Sequence, residues 1–113
     1  MQYKPRQGDI IFLDFDPQVG HEQRGRRPAL VVSNNTFNSF TSIAVVCPIT
    51  NTNREIPIHV SLDNRCKTTG VVMCDQVKSL DVIMRNAEFV EKVPDDILEE
   101  VTDIIVGFVE VEL

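Results

Sequence analysis

The chain has 113 residues, 42% of them apolar and 25% charged, a composition that fits one ordinary globular domain over 1–113. No apolar run approaches the ~18 residues of a membrane span. The opening Met1-Gln2-Tyr3-Lys4-Pro5 has no secretory-signal character, so a cytoplasmic location is expected. The formal net charge of −6 argues against a general nucleic-acid binder.

In chain order, Gly8 to Phe15 reads as a strand, with Ile10 and Phe12 on one face and Ile11, Leu13 and Phe15 on the other. Asp16-Pro17 ends it, and a polar loop from Pro17 to Arg27 follows. A loop of that length in a small domain often carries function. Pro28 to Ser33 is apolar almost throughout, the pattern of a strand buried on both faces. Asn34-Asn35-Thr36 suits the cap of a short helical turn carrying Phe37 and Phe40. Ser42 to Ile49 is a second buried strand, with Pro48 pointing to an edge or a bulge. Asn51 to Glu55 reads as a polar turn. Ile56 to Leu62 alternates strictly, which predicts a half-exposed strand with His59 outward. Gly70 to Cys74 is another buried strand, Leu80 to Asn86 a turn or short helix, and Ala87 to Val93 a further strand.

Pro94 then opens a helix, where its missing N–H costs nothing. Asp95, Asp96, Glu99 and Glu100 suit the positive end of its dipole. Ile97, Leu98, Val101, Ile104, Ile105 and Phe108 form the core-facing stripe. Val109 to Leu113 is a frayed tail or a short strand. Six or seven strands and a closing helix make a mainly β protein, a small antiparallel barrel or curled sheet covered by the helix.

Charge is unevenly placed. Residues 1–87 carry ten Lys/Arg against eight Asp/Glu, a net of +2, and residues 88–113 carry one against nine, a net of −8. Arg24, Arg26 and Arg27 cluster beside Gly25. They form either a solvated loop or a seat for a phosphate, to which planar guanidinium donors are well matched. His21 and Glu22 in the same loop suit proton transfer at a phosphodiester, or are simply exposed loop residues. Thr50 is a turn residue or a donor to a phosphate oxygen. His59 reads as an ordinary surface histidine. The three cysteines, Cys47, Cys66 and Cys74, show no Cys-x-x-Cys pair. They read as free, inert thiols rather than a metal site or a nucleophile.

The segment GDIIFLDFDPQVGHEQRGRRPALVVSN, Gly8 to Asn34, resembles the N-terminal signature of the MazF/PemK (Kid) toxins, the endoribonucleases of type II toxin–antitoxin systems. Gly8, Asp9, Asp14, Phe15, Pro17, Gly20, Glu22, Gln23, Gly25, Arg27 and Pro28 carry the match. VVCPIT, Val45 to Thr50, and GVVMCDQVKSLD, Gly70 to Asp81, extend it along nearly the whole chain.

The resemblance implies a small SH3-like antiparallel barrel of the CcdB/PemK type with a C-terminal α-helix, usually dimeric. It implies ribosome-independent, sequence-specific cleavage of single-stranded mRNA with neither metal nor other cofactor. The 2′-OH attacks the adjacent phosphorus, giving 2′,3′-cyclic phosphate and 5′-OH ends. On the matching positions the catalytic residues are Arg27, Thr50 and Glu22. His21, Gln23, Arg24, Arg26, Gln76, Lys78 and Ser79 fall where substrate is contacted. A guanidinium is a poor base, so Arg27 mainly stabilises the charge on phosphorus, while Thr50 donates to a nonbridging oxygen and Glu22 or His21 orients the 2′-OH or Arg27. His21, Arg24 and Arg26 make this loop more basic than in some relatives. The implied partner is a small antitoxin with an acidic flexible segment. The alternatives are a CcdB-like gyrase inhibitor, against which the absence of Trp and the ending Glu110-Val111-Glu112-Leu113 speak, and a catalytically silent RNA-binding relative.

Overall fold

The structure, a computed structural model, describes residues 3–15, 26–52 and 56–113. Most of the loop expected at 17–27, with His21, Glu22, Gln23 and Arg24, lies outside the described residues, as does part of the turn expected at 51–55. In chain order the elements are β1 (Asp9–Asp14), β2 (Arg26–Val31), α1 (Asn35–Phe40), β3 (Ile43–Thr50), β4 (His59–Ser61), β5 (Val71–Met73), a 3-10 turn (Cys74–Gln76), β6 (Lys78–Asp81), β7 (Glu88–Lys92) and α2 (Asp95–Val109).

The seven strands form one sheet in the order β4-β5-β3-β2-β1-β7, with β6 also on β3. Every pairing is antiparallel. The outermost strands, β4 and β7, do not pair with each other, so the sheet is open where the closed barrel was expected. The eight-residue β3 holds two neighbours in succession along one edge. It pairs with β6 over Ile43–Val46 and with β5 over Ile49–Thr50, and this divides the sheet into two wings.

The same feature explains Pro48. It lies in the sheet interior rather than at an edge or a bulge. It sits opposite Ala29 of β2, in the gap where β3 changes its other partner. A residue without an N–H costs little in such a gap.

Strand alternation gives the sheet two buried faces. Ile10, Leu30, Cys47, Val60 and Val72 face α2, which covers them with Ile97 and Val101. Ile11, Leu13, Ala29, Val31, Val46 and Leu80 make the second core, with Phe15 and Tyr3 at its margin. Full burial of each large aliphatic side chain contributes roughly 1.5–3 kcal/mol. The stripe on α2 is shorter than the periodicity suggests. Ile104 and Ile105 still pack on the core, but Phe108 is 44% exposed because the helix outruns the sheet. Residues 110–113 form no strand.

Three further elements differ from the sequence reading. The strand expected over Ile56–Leu62 shrinks to His59–Ser61, because a turn closes from His59 N to the Ile56 carbonyl. Ladder bonds reach only from His59 to Ser61, opposite Val71 to Met73. The segment read as a turn or helix from Leu80 begins as β6 and turns only after Asp81, whose carboxylate accepts from the N–H groups of Ile83 and Met84. In α1, capped by Asn34 as expected, the buried residue is Asn38 rather than either phenylalanine. Asn38 ties the helix to the carbonyl of Ser33 at 3.0 Å.

Among the described residues no helix is long and apolar enough to cross a membrane. Leu30 is fully buried at the centre of the helix-covered core. Leu30→Ala should therefore lower the free energy of unfolding by about 2–5 kcal/mol in urea titrations.

Candidate functional site

The site grows from the pairing of β2 with β3. Val31 pairs with Val46, Leu30 with Cys47 and Ala29 with Pro48, and the ladder stops there. Both strands run on past it, β2 through Arg27 and β3 to Thr50. Continuing the register sets these two opposite each other. Alternation puts Arg27 on the face of Ala29 and Val31, and Thr50 on the face of Val46 and Pro48, which is the same face. Arg27 is exposed and Thr50 is half-buried. An arginine and a hydroxyl thus flank the point where two strands part, at the edge of the second core.

The Thr50 hydroxyl is oriented. Its Oγ1 accepts the backbone N–H of Thr52 at 3.1 Å, which leaves its own hydrogen free to donate. Its backbone is pinned from the opposite side. A Cβ on Gly70, where φ is +118°, would stand 2.4 Å from the Thr50 carbonyl oxygen. Only glycine permits that approach.

Arg26 and Arg27 are adjacent and their surroundings differ completely. Arg26 is not in a loop; it is the first residue of β2, opposite Asp14. Its guanidinium lies 5.5 Å from the centre of the Phe12 ring. It donates to Asp14 Oδ1 at 3.2 Å, to the Phe12 carbonyl at 3.0 Å, to Glu88 Oε1 at 3.3 Å and to the Asn86 carbonyl. Asn86 completes the knot through Asp14 Oδ2 at 2.9 Å. This bond, then Arg26, hold the Asp14 carboxyl below the usual carboxylate range against the opposing effect of desolvation. The knot is on the sheet face opposite Arg27.

Of the other residues singled out in the sequence, Lys78 shares the Arg27 face, opposite Val46, with its ammonium 4.9 Å from the Phe15 ring centre. Ser79, one residue on, falls on the helix-covered face opposite Val45. Gln76 closes the 3-10 turn and lines a cavity of about 320 Å³ together with Thr50, Thr52, His59, Met73 and Asp75. The structure therefore brings Arg27, Thr50, Gln76 and Lys78 to one face, and leaves Arg26 and Ser79 on the other.

His59 corrects the sequence reading. Its side chain is only 6% exposed, and Nε2 stands 3.0 Å from Asp75 Oδ1. It does point outward from β4, opposite Met73, but outward here means onto the cavity floor. His59 and Asp75 are the residues that sequence reasoning missed. The available signal was a histidine on a strand whose hairpin partner runs two residues past their pairing into an acidic residue.

The thiols behave as expected. All three cysteines are free and buried. Burial, with Cys74 and Asp75 nearby, pushes Cys47 up to about 12, and burial with Asp75 pushes Cys74 up to about 11. Such thiols stay protonated and unreactive near neutral pH. Among the described residues no three metal-ligating side chains converge.

Residues 6–108 match the family described as PemK-like, MazF-like toxin of type II toxin-antitoxin system. The chain belongs to that family. It is 43% identical over 98 residues to the endoribonuclease PemK of Escherichia coli, covering 83% of this chain and 74% of the relative. It is 40% identical over 79 residues to the endoribonuclease toxin MazF of E. coli K12, covering 70% of each. A crystal structure of MazE-MazF from Deinococcus radiodurans superposes with a TM-score of 0.87 at 39% identity, over 95% of this chain and 96% of that one. That likeness supports the antiparallel sheet with its C-terminal helix as the architecture of this family member.

Two outcomes check this geometry. Gly70→Ala should destabilise the protein by more than ~1 kcal/mol, since the backbone is left-handed there, and should shift the amide resonances of Asn51 and Thr52 beside the pinned carbonyl. Iodoacetamide at pH 8 should label the native thiols far more slowly than those of the urea-unfolded chain.

Proposed function

We propose that this chain is one toxin domain that cuts single-stranded RNA at short specific sequences, without a metal ion, inside the cytoplasm. The observation that carries the reading is the register of β2 against β3, which, continued past the end of the ladder, sets Arg27 opposite Thr50 on the face away from α2. The names of the relatives, endoribonucleases at 40–43% identity, support the reaction class.

In this reading the 2′-OH of one nucleotide attacks the adjacent phosphorus, the bond to the 5′-oxygen breaks, that oxygen takes a proton from water, and the products carry a 2′,3′-cyclic phosphate and a 5′-OH. Negative charge builds on the nonbridging oxygens. The Arg27 guanidinium, fixed on a strand rather than a loop, answers that charge with planar paired donors. The free Thr50 hydrogen donates to one nonbridging oxygen. Glu22, with His21 beside it, takes or orients the proton of the 2′-OH. Phe15 and Arg26, at the two ends of the segment carrying Glu22, are both anchored. Arg85 donates to the carbonyls of Asp14 and Phe15, and Arg26 is held in its knot.

Gln76 and Lys78 supply substrate contacts on the same face, and Gln23 and Arg24 do so from the segment outside the described residues. Arg26 and Ser79 act through the scaffold. A cognate antitoxin with an acidic flexible segment, competing for Arg27, fits the same surface. A homodimer is part of the same proposal.

The test is cleavage of a long single-stranded RNA in EDTA, followed by end-group mapping. Wild type should cut at discrete sites and leave cyclic-phosphate ends. Arg27→Ala and Thr50→Ala should each lower kcat/KM on the order of 10²–10³-fold, while Thr50→Ser, which keeps the hydroxyl, should retain most of the activity. Full activity in Arg27→Ala would overturn the reading.

A further inference from the structure

The hairpin of β4 and β5 is thinly attached. Among the described residues it joins the rest of the sheet by two pairs, Ile49 with Val72 and Thr50 with Val71. Its strands are three residues each, and an isolated hairpin of that size is marginal at best in water. The strand partner of Thr50 therefore needs holding from elsewhere. Residues 63–70, the strap between β4 and β5, supply the hold. They reach β7 and the start of α2, on the side where β4 and β7 leave the sheet open.

Three anchors fix the strap. The Cys66 side chain is buried in the helix-covered core. Arg65 grips Asp96, in the first turn of α2, with paired donors at 2.9 and 3.0 Å, and donates to Asp63 at 2.7 Å. These groups are exposed, so the grip contributes little stability. Glu91 of β7 is the most fully engaged. Its Oε1 accepts the Lys67 N–H at 3.0 Å, and its Oε2 accepts the Thr68 N–H and the Thr68 hydroxyl, both at 2.8 Å. Burial opposes the ionisation of Glu91, but these donors outweigh it and hold the carboxyl below the usual carboxylate range. Two acceptor oxygens side by side are what successive N–H groups require, and no neutral side chain of the same size offers them.

The strap ends at Thr50. One residue past the Glu91 seat, the Thr69 hydroxyl donates to Asn51 Oδ1 at 3.0 Å. Gly70 then lies against the Thr50 carbonyl, and Val71 pairs with Thr50. A shift at Thr68 therefore passes along consecutive residues to Asn51 and to Thr50. We propose that Glu91 is a positioning residue for Thr50, which seats the strap and thereby fixes where the Thr50 hydroxyl points. This rests on the reading that Thr50 contacts the scissile phosphate. Glu91 stands opposite Ile10, on the α2 side of the sheet, so it acts through the strap and not on the substrate.

The experiment is a double-mutant cycle. Glu91→Gln keeps the volume but turns one acceptor oxygen into a donor, so one strap N–H loses its partner. On an RNA with a mapped cut, kcat should fall on the order of 10-fold, with KM within about twofold of wild type. In the Thr50→Ala background the same substitution should cost less than about twofold, because no hydroxyl is left to place. A merely structural role would lower the folded fraction and cost the same in both backgrounds. Two readouts need no RNA. In Glu91→Gln the amide resonances of Asn51 and Thr52 should shift. Iodoacetamide should also reach Cys66 about 10-fold faster than in wild type, while peptide mass mapping finds Cys47 and Cys74 still slow. Thr68→Val, which removes only the hydroxyl donor, should give smaller changes in the same direction and serves if Glu91→Gln does not fold. An undiminished kcat in Glu91→Gln, or an equal cost in both backgrounds, overturns the positioning role. If wild type cuts no RNA, the proposed function fails by itself. The resonances and the Cys66 rate then decide the strap, which stands if they move and falls if they do not.

Discussion

The pairing of β2 with β3 is the constraint on which the rest depends. Three paired positions, Ala29 to Val31 against Pro48 to Val46, decide the face of every side chain on both strands. They bury Leu30 and Cys47 beneath α2 and Val31 and Val46 in the second core. Where the ladder stops, the same alternation delivers Arg27 and Thr50 together. A shift of one residue would send both apolar sets to the wrong faces, so the hydrophobic cores enforce the geometry of the polar site. Packing energy spread over many aliphatic side chains fixes two groups that contribute little stability themselves.

The second edge of β3 does a different job. Because β6 and β5 succeed each other along it, the chain between them must turn tightly, and Cys74–Gln76 does so. That turn carries Asp75 and Gln76 to the mouth of the cavity, and β4, added outside β5, brings His59 to its floor. Gly70 lets β5 come close enough to press on the Thr50 carbonyl. One long strand with two partners therefore produces both an open sheet and a concave margin beside Thr50.

Much of this was legible in the residues. Apolar runs marked the central strands, and Pro94 with its acidic first turn marked the start of α2. The family resemblance picked out Arg27 and Thr50, which the register then sets opposite each other. What failed had a common cause, namely that local pattern does not state which neighbour a strand has. Pro48 looked like an edge residue because the change of partner is a tertiary fact. Ile56 looked like strand because its alternation continues beyond the ladder. His59 looked exposed because alternation gives a side of the sheet but not what stands on that side. Arg26 and Arg27 looked alike in sequence, and only pairing with Asp14 and Leu13 separates them. Phe108 matched the helical period, but the sheet ends before it.

The Arg26 knot has a consequence for how such a protein can diversify. Asp14, Glu88, Asn86 and the Phe12 carbonyl all hold one guanidinium, and they hold it from β1, β7 and the turn between β6 and β7. They clamp the hairpin at its loop end, immediately before the connecting segment begins. That clamp is built without residues of the connecting segment. Its length and sequence are therefore decoupled from the alignment of the sheet, and insertions or substitutions between Phe15 and Arg26 can accumulate without exchanging the two arginines. A scaffold clamped in this way can change that segment while keeping Arg27 and Thr50 in place.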